Sequence, residues 1–263
     1  MTTDAIWEEI RTEAEAIALK EPLLANVFEE GVLKCPSLEA ALSRHLAQKL
    51  SHNAPSTSKS LLKDTFMESF DRDLKIGVAV RRDIRAFRER DPACHDFLGP
   101  AFYYKGVQAL TSYRVAHHLW STGRHELAFY LESLISEVFA VDIHPAATIG
   151  CGVLLDHATG FVAGETTVID SNVSILHEVT LGGTGKESGD RHPKIRSGVL
   201  IGAGAKILGN VEVGQGARIG AGSVVLKDIP PHSTAAGVPA KIVGRSEEAD
   251  PALRMEHDIS DCI

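Results

Sequence analysis

Along the first half of the chain apolar side chains recur at three- and four-residue intervals; along the second half they recur every six. Leu38, Leu42, His45, Leu46 and Leu50 fall on one helical face, with Ser37 placed to cap the start and Pro36 just outside it. Similar spacing predicts further helices over 4–19, 22–33, 60–71, 74–89, 101–121 and 124–139, with 51–60 as a polar loop. Helical stripes of this kind are the ordinary mark of a packed core, and their periodicity assigns no chemistry to this half.

After Val141 the rhythm changes. Ile143, Ile149, Leu155, Phe161, Thr167, Val173 and Val179 form one series of period six, and Ile195, Ile201, Ile207, Val213, Ile219 and Val225 form another. The step from Val179 to Ile195 is not a multiple of six, and removing the segment 185–194 restores the phase. The stretch GGTGKESGDRHPKI (182–195) therefore contains a loop inserted into a repeat. It is not a Walker phosphate loop, because Thr180 stands where that pattern needs its first glycine.

A six-residue period with small residues between the aliphatic ones is the signature of a β-helix. Three hexads make one triangular coil, and thirteen hexads make a little over four coils. Buried strands of an ordinary α/β sheet would need crossovers of a dozen or more residues, for which 141–230 has no room. The expected architecture is an α-helical domain over 1–140, a parallel β-helix over 141–245 with the loop 185–194, and a tail over 246–263. Because a solenoid's flat faces and open ends seek cover, a homo-oligomer is expected, with a trimer as the closed ring suited to a triangular prism.

Composition narrows the setting. A net charge of −8 over 263 residues argues against a general nucleic-acid binder, so an anionic ligand must be met by local basic residues. Cys35, Cys94, Cys151 and Cys262 are scattered without a CxxC pair and read as reduced thiols. The acidic N-terminus has no apolar signal core, and no window approaches the ~20 apolar residues of a membrane span. A soluble, cytoplasmic protein is expected.

His144, His157, His177 and His192 lie in or beside the repeat and are open to three readings. They could be corner residues with satisfied rings. They could be metal ligands, although none of their spacings matches one coil of three hexads. The third reading is general-base catalysis: His157 stands beside Asp156 in LDHATG, and Asp142, nearly one coil earlier, could supply a carboxylate that orients the imidazole.

The segments VDIHPAATIG, LLDHATGFVAGETTVI, VTLGGTGKESGDRHPKIRSGVLIGAGAKILGN and AGSVVLKDIPPHSTAAGVPAKIVG together resemble the serine O-acetyltransferases, hexapeptide-repeat enzymes that open cysteine biosynthesis. RERDPA (88–93) and FYYKG (102–106) extend the likeness into the helical half. The resemblance implies a left-handed parallel β-helix of hexapeptide repeats behind an N-terminal α-helical domain, assembled as a dimer of trimers. It implies acetyl transfer from acetyl-CoA, as co-substrate, to the hydroxyl of L-serine, with no metal.

Carried over by motif, His157 is the base and Asp142 its partner. Asp91 and Asp156 bind the serine ammonium, and Arg191 and His192 meet its carboxylate. Coenzyme A is expected beside Ala203 and Ala221, with Gly183 and Thr184 near the thioester. Lys241 is the candidate phosphate contact, along with Lys206, Arg218 or Lys227. Cys151 occupies a Gly-Cys-Gly corner where relatives often carry a basic residue. Feedback inhibition by L-cysteine is expected at the serine site. The acidic tail is expected to be flexible, and its final Ile263 to enter the active site of O-acetylserine sulfhydrylase. The rival readings are another hexapeptide O-acyltransferase, a metal-dependent hydratase of the carbonic anhydrase type, and a non-catalytic scaffold.

Overall fold

The computed structural model describes residues 4–52, 58–185, 188–245 and 250–255. Among these the helical half comprises α1 (Ala5–Lys20), α2 (Pro22–Phe28), α3 (Leu38–Ser51), α4 (Lys59–Arg72), α5 (Leu74–Arg90), α6 (Leu98–Phe102), α7 (Lys105–Ser121) and α8 (His125–Phe139). Local chemistry sets several of the starts. Asp4 accepts from Trp7 N, Ser37 from Ala40 N and Asp73 from Lys75 N, each satisfying an N–H that a helix's first turn leaves free.

Two expected helices are interrupted. The helix over 22–33 passes into a π-helical turn at Glu29–Leu33. The helix over 101–121 is divided: both Tyr103 N and Tyr104 N donate to Gly99 O, closing α6, and α7 starts afresh at Lys105. The new start sets Gly106 so close to the solenoid that a Cβ there would stand 1.9 Å from the Leu155 carbonyl oxygen. Only glycine permits that approach.

At Ala140 the chain takes a left-handed turn (φ 53°) and enters the β-helix. Strands numbered in chain order form three sheets. The first holds β1 (Val141–Ile143), β4 (Phe161–Ala163), β7 (Thr180–Gly182), β10 (Lys206–Leu208) and β13 (Val224–Val225). The second holds β2 (Thr148–Ile149), β5 (Val168–Ile169), β8 (Lys194–Ile195) and β11 (Glu212–Val213). The third holds β3 (Leu154–Leu155), β6 (Ser174–Ile175), β9 (Leu200–Ile201), β12 (Arg218–Ile219), β14 (Ser233–Gly237) and β15 (Ala240–Arg245). All pairings are parallel except the closing β14–β15 hairpin.

The register corrects the position of the extra residues. Val162 pairs with Thr180 and Lys206 with Val224, each a regular coil of three hexads. Val141 pairs with Phe161, which makes the first coil two residues longer, and Thr180 with Lys206, which makes the third eight residues longer. Two of the ten additional residues therefore lie in the corner at 156–160, and eight lie in the loop. The stacked inward series is Ile143, Ala163, Leu181, Ile207 and Val225. Phe161, Thr167, Val173 and Val179 are buried as well, in a second inward position two residues earlier in each hexad. With two buried positions per hexad, a two-residue insertion moves one series onto the other and leaves the period of six unbroken.

One apolar cluster runs from α1 through the solenoid, so the helical half and the first coil share a core. Their junction is polar at one point. Arg114 of α7 donates Nη2 to Asp83 Oδ2 (2.6 Å) and to Gly150 O (2.7 Å), while Asp83 of α5 accepts Val153 N (3.0 Å). Both side chains are buried, so removing one charge strands the other. Asp83→Ala is expected to cost about 3–5 kcal/mol in urea unfolding, and pairing it with Arg114→Met should recover most of that loss.

Candidate functional site

The corners of the prism line up along three edges, and the predicted residues fall on two of them. The first is the edge where the third sheet turns into the first. There the two added residues leave no room for a regular turn: His157 and Ala158 take consecutive left-handed conformations (φ 56° and 59°), and Gly160 N bonds back to Ala140 O. The excursion lifts the His157 side chain out until it is 72% exposed, with Nε2 3.4 Å from Asp156 Oδ2.

Asp91 reaches the same place from the helical half. It ends α5, its N–H bonded to Phe87 O and its Oδ1 accepting Ala93 N. With Phe87, Tyr104, Lys105 and Gly106 it joins Asp156 and His157 around a cavity of about 390 Å³. Lys105 Nζ is hydrogen-bonded to Thr159 Oγ1 across this corner. A larger cavity of about 620 Å³ lies between α5, α7 and β2, lined mostly by apolar side chains such as Ile76 and Ile149 and remote from these groups. Ala203 and Ala221 continue the His157 edge on later coils, tied to it by Gly204 N to His177 O (2.9 Å) and Gly222 N to Ala203 O (2.8 Å).

The second edge joins the first sheet to the second, and the inserted loop returns to it. Thr166 Oγ1 accepts the backbone N–H groups of Arg191 (3.0 Å) and His192 (3.1 Å), which fixes the end of the loop. His192 Nδ1 accepts from Thr166 N, and the ring lies over Gly164, where a Cβ would stand 2.0 Å from Nε2. Arg191 Nη2 donates to Glu165 Oε2 (2.7 Å), and this guanidinium holds the Glu165 carboxyl below its ordinary range. Burial, then the Arg191 charge, depresses the His192 imidazole. His144 stands on the same edge, its ring edge-on to Trp120 and Phe129. Gly183 and Thr184 follow β7 here.

The structure thus brings Asp91, Asp156 and His157 together and leaves Arg191, His192, Gly183 and Thr184 on the neighbouring edge. One face separates them, a hexad wide, or about 20 Å at ~3.3 Å per residue. Asp142 does not reach His157 within its own chain: no ion pair within 4 Å joins them among the described residues, and the carboxylate beside His157 is Asp156. Asp142 lies on the outer face of β1 against Glu132 of α8. Lys241 is exposed on β15, Lys206 and Arg218 lie on β10 and β12, and Lys227 is exposed beyond β13. Ile263 lies outside the described residues.

Glu165, Thr166, Lys105 and Glu132 were not singled out from the sequence. Only the register shows the relation: with the eight extra residues of the third coil removed, Thr166 and His192 fall one coil apart on one edge. Among the described residues no three His, Cys, Asp or Glu side chains come together as a metal site.

Residues 6–112 match the family model "Serine acetyltransferase, N-terminal", and residues 192–227 match "Bacterial transferase hexapeptide (six repeats)". The serine acetyltransferase of Escherichia coli strain K12 is 52% identical over 253 residues, covering 96% of this chain and 92% of that protein. A serine acetyltransferase from Brucella abortus strain S19, solved in complex with coenzyme A, is 51% identical with a TM-score of 0.90, covering 93% of this chain and 97% of that one. Another, solved in complex with cysteine, is 51% identical with a TM-score of 0.94, covering 97% and 98%.

Glu132 offers a measurable mark of this region. Its carboxyl is pushed up to about 7, first by burial and then by the charge of Asp142, to which it is hydrogen-bonded. Against an ordinary value of 4.5, the folded chain holds this proton more tightly than the unfolded one. The stability it lends is full below 4.5 and is lost as pH rises through about 7. Thermal melts of wild type and Glu132→Gln from pH 4 to 8 should therefore diverge, the wild type losing ground as pH rises; a constant offset would contradict the shared proton.

Proposed function

Because this chain belongs to the serine acetyltransferase family and transfers the acetyl group of acetyl-CoA to serine, we propose that His157 is its general base and that two copies of the chain complete each site. The observation that carries the proposal is the split just described. His157 stands exposed beside Asp156, with Asp91 lining the same cavity, while the arginine and histidine suited to a carboxylate are held in order one face away.

Asp91 and Asp156 take the serine ammonium on the first edge. Arg191 and His192 of a neighbouring copy close on its carboxylate, the guanidinium fork matching it bidentately. Asp142, on the neighbour's adjoining face, orients His157 from across the contact. The His157 imidazole accepts the serine hydroxyl proton as the oxygen attacks the thioester carbon. A C–O bond forms, the C–S bond breaks, and the proton is returned to the departing sulfur, giving O-acetylserine and coenzyme A. A positioned base of this kind contributes about 10²- to 10⁴-fold.

Coenzyme A runs along the His157 edge, where Ala203 and Ala221 leave the backbone open and Lys241 offers a cation to phosphate. Gly183 and Thr184 approach the thioester from the neighbouring copy. Cysteine carries the same ammonium and carboxylate with sulfur for oxygen, so it competes for this site as a feedback inhibitor. A trimer supplies the required contact three times over, and exposed Leu19, Leu23 and Val27 on α1 and α2 offer a surface for pairing trimers. No helix among the described residues is long and apolar enough to cross a membrane, and Cys35, Cys94 and Cys151 are free thiols, which supports a cytoplasmic setting.

His157→Ala and Arg191→Ala are each expected to lose at least about 10²-fold in kcat/KM for serine. When the two inactive chains are co-refolded, mixed trimers should regain a substantial fraction of wild-type activity, because some sites take His157 from one chain and Arg191 from the other. No recovery would place the whole site within one chain. For the tail, deleting Ile263 should abolish binding to O-acetylserine sulfhydrylase in calorimetry while leaving acetyl transfer intact.

A further inference from the structure

One coil beyond His157, His177 occupies the equivalent corner after β6, on the edge that continues to Ala203 and Ala221. The two imidazoles meet edge to face, with centroids 5.7 Å apart and planes at 76°. The environment of the His177 ring is one-sided. Its Nδ1 is enclosed and has no hydrogen-bond partner, while Nε2 is not enclosed. The backbone carbonyl of His177 is engaged by Gly204 N, which fixes the corner, but no described side chain or backbone group bonds to the ring itself.

A buried N–H without an acceptor is among the rarest defects in folded proteins, whereas an unused lone pair is better tolerated. In the neutral ring one nitrogen carries the proton and the other the lone pair. The enclosed Nδ1 therefore holds the lone pair, and the proton lies on Nε2. This leaves an N–H donor, with no protein acceptor, on the edge where the acyl donor is expected and one ring away from the base.

We propose that His177 is a catalytic residue whose Nε2–H donates a hydrogen bond to the thioester carbonyl oxygen as it becomes the tetrahedral oxyanion. The inference rests on the reading of His157 as base. When the serine oxygen bonds to the carbonyl carbon, its proton passes to His157 and the carbonyl π electrons move onto the oxygen. The His177 N–H stabilises that charge without being transferred. Collapse restores the C=O, expels the thiolate, and the proton on His157 goes to sulfur. With the rings in edge-to-face contact at 5.7 Å, one small carbonyl lying beside the pair is within reach of both side chains. A neutral imidazole can polarise a carbonyl in this way, and a donor aimed at developing charge acts mainly on the transition state.

The test is steady-state kinetics on the full-length enzyme with His177→Ala and His177→Gln, each first shown to keep the wild-type unfolding midpoint within a few degrees. His177→Ala is expected to lower kcat about 10²-fold with both KM values within about threefold, the pattern for a transition-state contact. His177→Gln, whose amide nitrogen can stand near the Nε2 position, should recover at least about tenfold of that loss. An alanine variant with near wild-type kcat, a loss confined to KM, or a glutamine variant no better than alanine would each overturn the proposal. The pH profile separates this from the reading beneath it. If His177→Ala keeps the acid limb of kcat/KM, the base lies elsewhere, as proposed. If the limb disappears, His177 is the base, and the donor assignment fails. A fully active His157→Ala variant would sink the base reading whatever His177 does.

Discussion

Parallel stacking of the coils is the constraint on which the rest of the molecule depends. Each strand pairs residue for residue with the strand one coil away, and a slip of one residue would turn every inward side chain outward. Extra residues therefore cannot be absorbed within a strand; they must leave at a corner. This chain carries ten, and both places where it expels them bear side chains of the proposed site. Two residues at 156–160 force His157 and Ala158 into left-handed backbone and push the imidazole into the open. Eight residues beyond Gly182 carry Arg191 and His192 back onto Thr166. Elsewhere the turns keep the regular coil length of three hexads.

The helical half is held to this frame more tightly than a capping domain requires. Asp83 and Arg114 engage the backbone of the first coil at Val153, Ile149 and Gly150, with both charges buried. Gly106 lets α7 touch the Leu155 carbonyl, one residue before Asp156. The break at Tyr103–Tyr104, which divides an otherwise continuous apolar helix, serves that contact. It lets α7 begin against the His157 corner, with Lys105 reaching across to Thr159. Asp91 closes α5 at the same level, so two separate helix termini and one solenoid corner define a single cavity.

The fold class was legible because both periods, near four and then six, are long and unmixed. The corner insertion was hidden for a specific reason. Phe161, Thr167, Val173 and Val179 are buried although they are not the residues that stack on Leu155, so the aliphatic series appears continuous across a two-residue slip. Spacing puts Asp142 about one rung from His157, but the coil between them carries the hidden insertion, and within the chain the carboxylate meets Glu132. Asp156 and Asp91, singled out through the family resemblance, line one cavity with His157. Thr166 and Glu165 were missed because their partners lie across the loop, where no sequence period survives.

The division of the site between two edges is a consequence of the same geometry. Consecutive edges of a triangular prism border one face, and a single strand-and-corner hexad makes that face about 20 Å wide. No side chain spans such a distance, so groups on the two edges can meet around one small amino acid only if the edge of one chain is brought against the next edge of another. A head-to-tail contact repeated around a threefold axis would do this, with each copy offering its His157 edge to one neighbour and its Arg191 edge to the other. The first sheet carries Asp142 of the Glu132–Asp142 carboxyl pair, where burial and then the charge of Asp142 push the Glu132 carboxyl up to about 7.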